Sequence, residues 1–174
     1  MPGDRLEDIA TVGLAVLFCG INPGLSSAAR GQHFANRSNR FWRTLHLAGF
    51  TPEELRPEHG REILRYHCGL TTVVERPTAG ADELSRQEFS DAASAFERKV
   101  VGYAPRFVAF LGKAAYTALT AQRDIAWGRQ AACFGNAAVW VLPNPSGRNR
   151  AFSLEQLVAA YRQLYLAAAP GSQP

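Results

Sequence analysis

Leu14-Ala15-Val16-Leu17-Phe18-Cys19-Gly20-Ile21-Asn22-Pro23-Gly24 is the stretch that decides the fold. Its first six residues are apolar without a break, the pattern of a strand covered on both faces rather than one. The run stops at Gly20 and turns through Asn22-Pro23-Gly24. Pro23 fixes φ and carries no N–H, while Gly24 leaves room for close approach of a ligand. A polar side chain is thereby placed at the carboxyl end of a central strand, where open α/β sheets bind their ligands. Val139-Trp140-Val141-Leu142 repeats the pattern and runs into a second stiff polar turn, Pro143-Asn144-Pro145-Ser146-Gly147. On two parallel strands of one sheet these turns face the same crevice.

Outward from these stretches, Leu70 to Val74 and Arg106 to Leu111 read as two more buried strands. A weak strand or turn precedes residues 138–142. Helices are expected from Ser38 through Phe41, Trp42 and Leu45 to Gly49. Others are expected from the Thr51-Pro52-Glu53-Glu54 start to about Tyr66, from Asp82 or Asp91 to Val101, and from Lys113 onward. Ser153 and Gln156 form a capping-box pattern ahead of Leu154, Leu157, Val158, Tyr161, Leu164 and Tyr165 on one helical face. Residues 1–10 read as a polar lead-in that could hold a short helix. Strands alternating with helices imply an α/β fold, a three-layer α/β/α domain with a mainly parallel sheet of four to five strands. The 174 residues suit a single domain, 1–174, with flexible tails at about 1–8 and 167–174.

Hydrophobic residues make up 47% of the chain and charged residues 20%, which are globular values. There is no apolar run of about 18 residues for a membrane span. The N-terminus turns acidic without a signal-peptide core, so a cytoplasmic location is expected. Cys19, Cys68 and Cys133 are scattered, with no CxxC pair for zinc or an iron–sulfur cluster. They read as buried reduced thiols, and no metal or cofactor is expected.

The net charge is +4, and every basic residue except Lys99 and Lys113 is Arg. No acid occurs between Asp8 and Glu53 or between Asp124 and Glu155. Those two windows hold both turns together with Arg30, Arg37, Arg40, Arg43, Arg129, Arg148 and Arg150. Solvated surface arginines would explain the charge. Its coincidence with the turns favours a face for a polyanion such as DNA.

Gly20-Ile21-Asn22-Pro23-Gly24 and Asn144-Pro145-Ser146-Gly147 resemble the two signature motifs of the mismatch-specific uracil-DNA glycosylases, the Mug and thymine-DNA glycosylase branch of the uracil-DNA glycosylase superfamily. The resemblance continues through Leu25-Ser26-Ser27, Asn39-Arg40-Phe41-Trp42, Cys68-Gly69, Arg76-Pro77-Thr78 and Leu111-Gly112-Lys113, from about residue 5 to about 166. It implies a monofunctional glycosylase that extrudes a nucleotide and hydrolyses its N-glycosidic bond. The substrates implied are uracil, ethenocytosine and related pyrimidines, with thymine a further candidate, in mismatched double-stranded DNA. Single-stranded DNA stays open as a second partner, and a monomer is expected. A non-catalytic binder of mismatched or single-stranded DNA on the same scaffold is the competing reading.

The resemblance also assigns roles. Asn22 would position the attacking water, where turn bonding alone would otherwise explain it. The N–H groups of Ile21 and Phe34 would reach the base oxygens, and the Phe34 ring would stack on the base rather than fill a core. Pro23 and Gly24 shape the pocket. Gly24 stands where strict uracil enzymes carry Tyr, which implies room for a substituted base. Asn144 replaces the leaving-group His of the strict enzymes, with turn capping as its competing role. Ser146 and Gly147 would hold phosphate and permit close backbone approach, and Ser27 is a further DNA-binding candidate. Arg148 departs from the apolar wedge of bacterial relatives, followed by Asn149 and Arg150, and would fill the gap left by the extruded nucleotide. Asp82 and Asp91 are candidate supplementary acids, read more simply as helix caps. Lys113 reads as a helix-start or phosphate contact.

Overall fold

The computed structural model describes residues 5–169. Five strands form one sheet in the order β2-β1-β3-β5-β4. They are β1 (Val16–Gly20), β2 (Cys68–Thr72), β3 (Phe107–Leu111), β4 (Gly128–Phe134) and β5 (Ala137–Leu142). β1 pairs in parallel with β2 and β3, and β3 with β5, while β4 runs antiparallel to β5 at the edge.

Alternate residues of each inner strand enter two separate cores. Val16, Phe18, Phe107, Ala109, Trp140 and Leu142 meet α2 (Phe41–Ala48), α5 (Leu154–Ala168) and the 3-10 segment Pro57–Tyr66. Leu17, Cys19, Val108, Phe110, Val139 and Val141 meet α3 (Arg86–Tyr103) and α4 (Lys113–Thr120). The result is the α/β/α arrangement that unbroken apolar strands dictate. A short helix α1 (Leu25–Arg30) follows the first turn.

The weakly marked strand before residue 138 is β4. Gly135 and Asn136, at φ 55° and 67°, make the two-residue turn that folds it back on β5. Its side chains are mostly exposed, and a register shift separates Arg129 from Cys133. Cys133 is accordingly exposed, not buried as expected.

Local start signals misled at several points. Ser38 does not cap α2, because its N–H and hydroxyl both turn back to Asn36 Oδ1. Asn39 Oδ1 instead accepts from the Phe41 N–H. Thr51 donates to Glu53 O in a bend, and helical structure starts only at Pro57. Neither Asp82 nor Asp91 caps α3: Ser85 and Glu88 form its capping box. Asp82 lies in the 3-10 turn Ala81–Glu83, and Asp91 accepts from Gln87 one turn back.

The expected lead-in is no helix and, from residue 5 on, no loose tail. Leu6 is buried, and Ile9 exchanges backbone hydrogen bonds with Leu70 at 2.8–2.9 Å. At the other end α5 continues to a buried Ala168, past the expected fraying point. Residues 1–4 and 170–174 of the expected tails lie outside the described residues. Among the described residues, no helix is long and apolar enough to cross a membrane.

Candidate functional site

Both motif turns border one cavity of about 420 Å³ at the carboxyl ends of β1, β3 and β5. Of the candidate residues, it brings together Ile21, Asn22, Pro23, Gly24, Ser27, Phe34, Asn144, Ser146 and Arg148. Gly147, Asn149 and Arg150 sit beside it in the second loop without lining it. Asp82, Asp91 and Lys113 also stay out of the lining.

Asn22 is fixed by the loop that follows β2. Val73 and Val74 donate to Gly20 O and Ile21 O, and Thr78 N–H donates to Pro23 O at 3.1 Å. This backbone zipper carries Arg76 O to 2.8 Å and Thr78 Oγ1 to 2.9 Å from Asn22 Nδ2. A carbonyl only accepts, so the amide orientation is forced. Thr78 donates its own proton to Gly80 O at 2.8 Å and so accepts from Asn22. Both Asn22 N–H groups are thus engaged, and Oδ1 is left as an acceptor. Thr78 and the Arg76 carbonyl were not singled out from the sequence. The Arg76-Pro77-Thr78 segment is marked in the sequence only by the resemblance, since a backbone acceptor has no side-chain signature.

Phe34 adopts a left-handed backbone at φ 54°, uncommon for an aromatic residue and a mark of a constrained loop. One ring face stacks on Phe41 at 4.1 Å and 24°. The ring remains partly exposed and lines the cavity, so Phe34 combines core and cavity positions. Ser27 sets this loop. Its side chain is buried, and its hydroxyl accepts from Ala35 N–H at 3.1 Å. The N–H groups of Ile21 and Phe34 take no part in the hydrogen bonds of these loops.

His33 is buried beside Phe34, and its Nε2 donates to Glu7 O at 2.7 Å, as a carbonyl partner requires. Burial lowers its pKa below the ordinary 6.5, more than the Glu7 carbonyl and the Asp8 charge raise it. The imidazole is therefore neutral at pH 7.

The second loop is held by Arg40. Its guanidinium donates to Phe152 O at 2.7 Å, Ser146 O and Asn149 O at 2.9 Å each, and Pro145 O at 3.4 Å. Arg40 is therefore a brace, not part of a free basic face. Arg129 is exposed, with its guanidinium carbon 5.6 Å from the Phe107 ring centroid. Arg30, Arg37, Arg43, Arg148 and Arg150 are exposed.

Asn144 Oδ1 accepts from Ser146 N–H at 2.9 Å, so the residue does cap its turn while lining the cavity. Asn149 donates to Asn144 O and accepts from Ala151 N–H. Its side-chain amide is engaged inside the loop. Ser146 Oγ accepts from Arg148 N–H. A Cβ on Gly147 would stand 2.7 Å from both Ser38 Cβ and Ser38 O. That glycine is therefore required by loop packing, whatever it does toward phosphate. Arg148 reaches across to Gly80, where a Cβ would collide with its guanidinium.

Gly24 differs from these. Its φ of −71° suits any residue, and a Cβ there would meet nothing within 4 Å. Lys113 opens α4 with its ammonium 4.5 Å from the Trp127 ring centroid. No cluster of three or more potential metal ligands occurs among the described residues.

The fold agrees with what is found by comparison. The solution NMR structure of a protein from Methanosarcina acetivorans, described as a candidate uracil DNA glycosylase, is similar over 95% of this chain and 99% of its own, at 22% identity and a TM-score of 0.64. The Uracil DNA glycosylase superfamily profile matches residues 8–165, which include both motif turns and every element bordering the cavity except Leu6. The chain belongs to the uracil DNA glycosylase superfamily, a family of DNA glycosylases that hydrolyse N-glycosidic bonds.

Proposed function

We propose that the chain is a monofunctional glycosylase of the mismatch-specific Mug and thymine-DNA glycosylase branch. It releases uracil and related damaged pyrimidines, ethenocytosine among them, from mismatched duplex DNA. The observation that carries this reading is the Asn22 amide: both N–H groups are engaged by Arg76 O and Thr78 Oγ1, and only Oδ1 is left to accept a hydrogen bond.

A carboxamide cannot remove a full proton at pH 7, so Asn22 works by position and dipole. Oδ1 accepts one water proton and aims the oxygen at C1′ of the extruded nucleotide. The C1′–N1 bond breaks with its electron pair going to the base, and positive charge builds on the sugar. Water oxygen bonds to C1′, its surplus proton leaves to solvent or to the departing base, and an abasic sugar remains. Phe34, backed by Phe41, offers its second ring face to the base. The Ile21 and Phe34 N–H groups suit the base oxygens as their charge grows.

Branch and substrate range rest on two positions. At Gly24 the space beyond Cα is unobstructed, which suits a base bearing an added substituent. Asn144 leaves no imidazole in the second turn to stabilise the departing base, so the reaction leans on how well the base itself leaves. The lysines also support hydrolysis without lyase chemistry. Lys99 pairs with Asp8 at 3.1 Å, Lys113 sits over Trp127, and neither lines the cavity. Arg148, exposed at the cavity rim, would plug the vacated stack, with Arg150 beside it toward phosphate.

The test is a labelled duplex carrying one G·U pair, incubated with the protein and then with hot alkali. Scission at the lesion is expected, with its loss in Asn22→Ala excluding a contaminating enzyme. Retarded migration without scission would replace this reading with a non-catalytic mismatch binder. An Arg148→Ala protein with unchanged duplex activity would remove Arg148 as the plug.

A further inference from the structure

Leu6 lines the cavity from outside the superfamily match, which begins at residue 8. It is only 7% exposed and precedes β1, so its position depends on how residues 5–9 are tied down. Six pairs of residues do this. Arg5 pairs with Glu75 at 2.8 Å. Glu7 O accepts from His33 at 2.7 Å, bonding the strap to the residue before Phe34. Asp8 accepts from Thr71 Oγ1 at 2.7 Å and Tyr103 OH at 3.1 Å, and pairs with Lys99 at 3.1 Å. Ile9 then bonds Leu70 in both directions. One of these anchors joins strap and site directly: His33, which holds Glu7 O, lines the cavity.

A branched apolar side chain held this firmly in a cavity is a fixed wall, and fixed walls discriminate by size. We infer that Leu6, delivered by the anchored strap, is a specificity-determining residue that limits the bulk of the base the cavity accepts. This rests on the excision activity proposed above. Gly24 leaves one side of the cavity open, and Leu6 bounds another; substrate range then follows from both.

The test compares kcat/KM for duplexes carrying G·uracil and G·ethenocytosine in wild type, Leu6→Ala, Leu6→Phe and Arg5→Ala. Leu6→Ala should raise the ethenocytosine-to-uracil ratio about tenfold, the scale of a few methylenes in an apolar pocket. Leu6→Phe should lower it by a similar factor while keeping the position apolar. Arg5→Ala removes the weakest tie of the strap, an exposed ion pair worth little beside the Glu7, Asp8 and Ile9 anchors, and should shift the ratio by less than twofold. Melting curves of all four proteins separate selectivity from folding, because lost stability lowers both rates together and not their ratio. A ratio within twofold of wild type in both Leu6 variants overturns the role of Leu6 alone. Wild type inactive on both duplexes overturns the excision reading and this inference with it.

Discussion

Asn22 Nδ2 donates to the Thr78 hydroxyl at 2.9 Å, and Thr78 can accept because its own proton goes to Gly80 O. The chain of bonds gives the amide one orientation. Thr78→Val removes one acceptor and keeps the shape, leaving the Asn22 amide held by the Arg76 carbonyl alone. A loss of about 1.4 kcal/mol, typical for one hydrogen bond, corresponds to a roughly tenfold fall in kcat. KM should hold, because the contact orients water rather than DNA. Thr78→Ser should restore the rate. Steady-state kinetics on the G·U duplex decide this, and an unchanged kcat for Thr78→Val would remove Thr78 from the positioning network.

Arg40 and Arg148 are both arginines of the acid-free windows, yet they should respond to different measurements. Arg40 donates to four backbone carbonyls of residues 145–152. Hydrogen bonds to charged groups contribute about 1.5–3 kcal/mol each, net of the water they replace. Arg40→Ala should therefore lower Tm by several degrees at least, at about 2–4 °C per kcal/mol for a chain of this size. Its DNA affinity should show the same dependence on salt as wild type. Arg148→Ala should do the reverse: unchanged Tm, and a log–log salt slope smaller by up to about 0.9 if the guanidinium meets a phosphate. Thermal melts and a salt titration of duplex binding give both readings.

Gly147 offers a purely steric prediction. It is exposed, so a surface substitution would ordinarily cost little. A Cβ would nevertheless lie 2.7 Å from Ser38 O and Cβ, and backbone oxygen cannot swing aside. Gly147→Ala should cost about 1–3 kcal/mol, the range for overpacking. Denaturant unfolding should show a lower midpoint, and Gly147→Ala combined with Ser38→Gly should recover only the part due to the side chain. An unchanged midpoint would mean that the two loops are free to separate.

These residues show why some of the site was legible in the sequence and some was not. The three-layer fold could be read from uninterrupted apolar strands, because burial on both faces leaves a pattern in the residues themselves. The two turns could be read because Pro and Gly punctuate the chain wherever backbone conformation is special. Thr78, Arg40 and Leu6 left no such mark. Thr78 matters through a carbonyl two residues away, Arg40 is spent on main-chain atoms distant in sequence, and Leu6 is one apolar residue in a polar lead-in. β4 was weakly marked for a related reason: its pairing with β5 and not its composition makes it a strand. Gly135-Asn136 was the available signal, a dipeptide suited to two positive φ values.

His33 makes the strap sensitive to acid. The ring is buried, and desolvation depresses its pKa from 6.5 more than the Glu7 carbonyl and Asp8 raise it. The unfolded chain therefore binds a proton that the folded chain resists. Between the ordinary imidazole value and the lower folded one, unfolding takes up protons, so stability rises with pH across that window. Equivalently, the contribution is complete above about 6.5 and is lost as pH falls through the folded value. The Glu7 carbonyl accepts from Nε2 in either charge state, so the loss is one of desolvation and not of that bond. His33→Gln keeps a donor near Glu7 O and removes the titration. Its unfolding free energy should vary less than that of wild type between pH 7.5 and 5, with the two curves separating below about 6.5. Parallel curves across that range would show that His33 is not the group that senses acid.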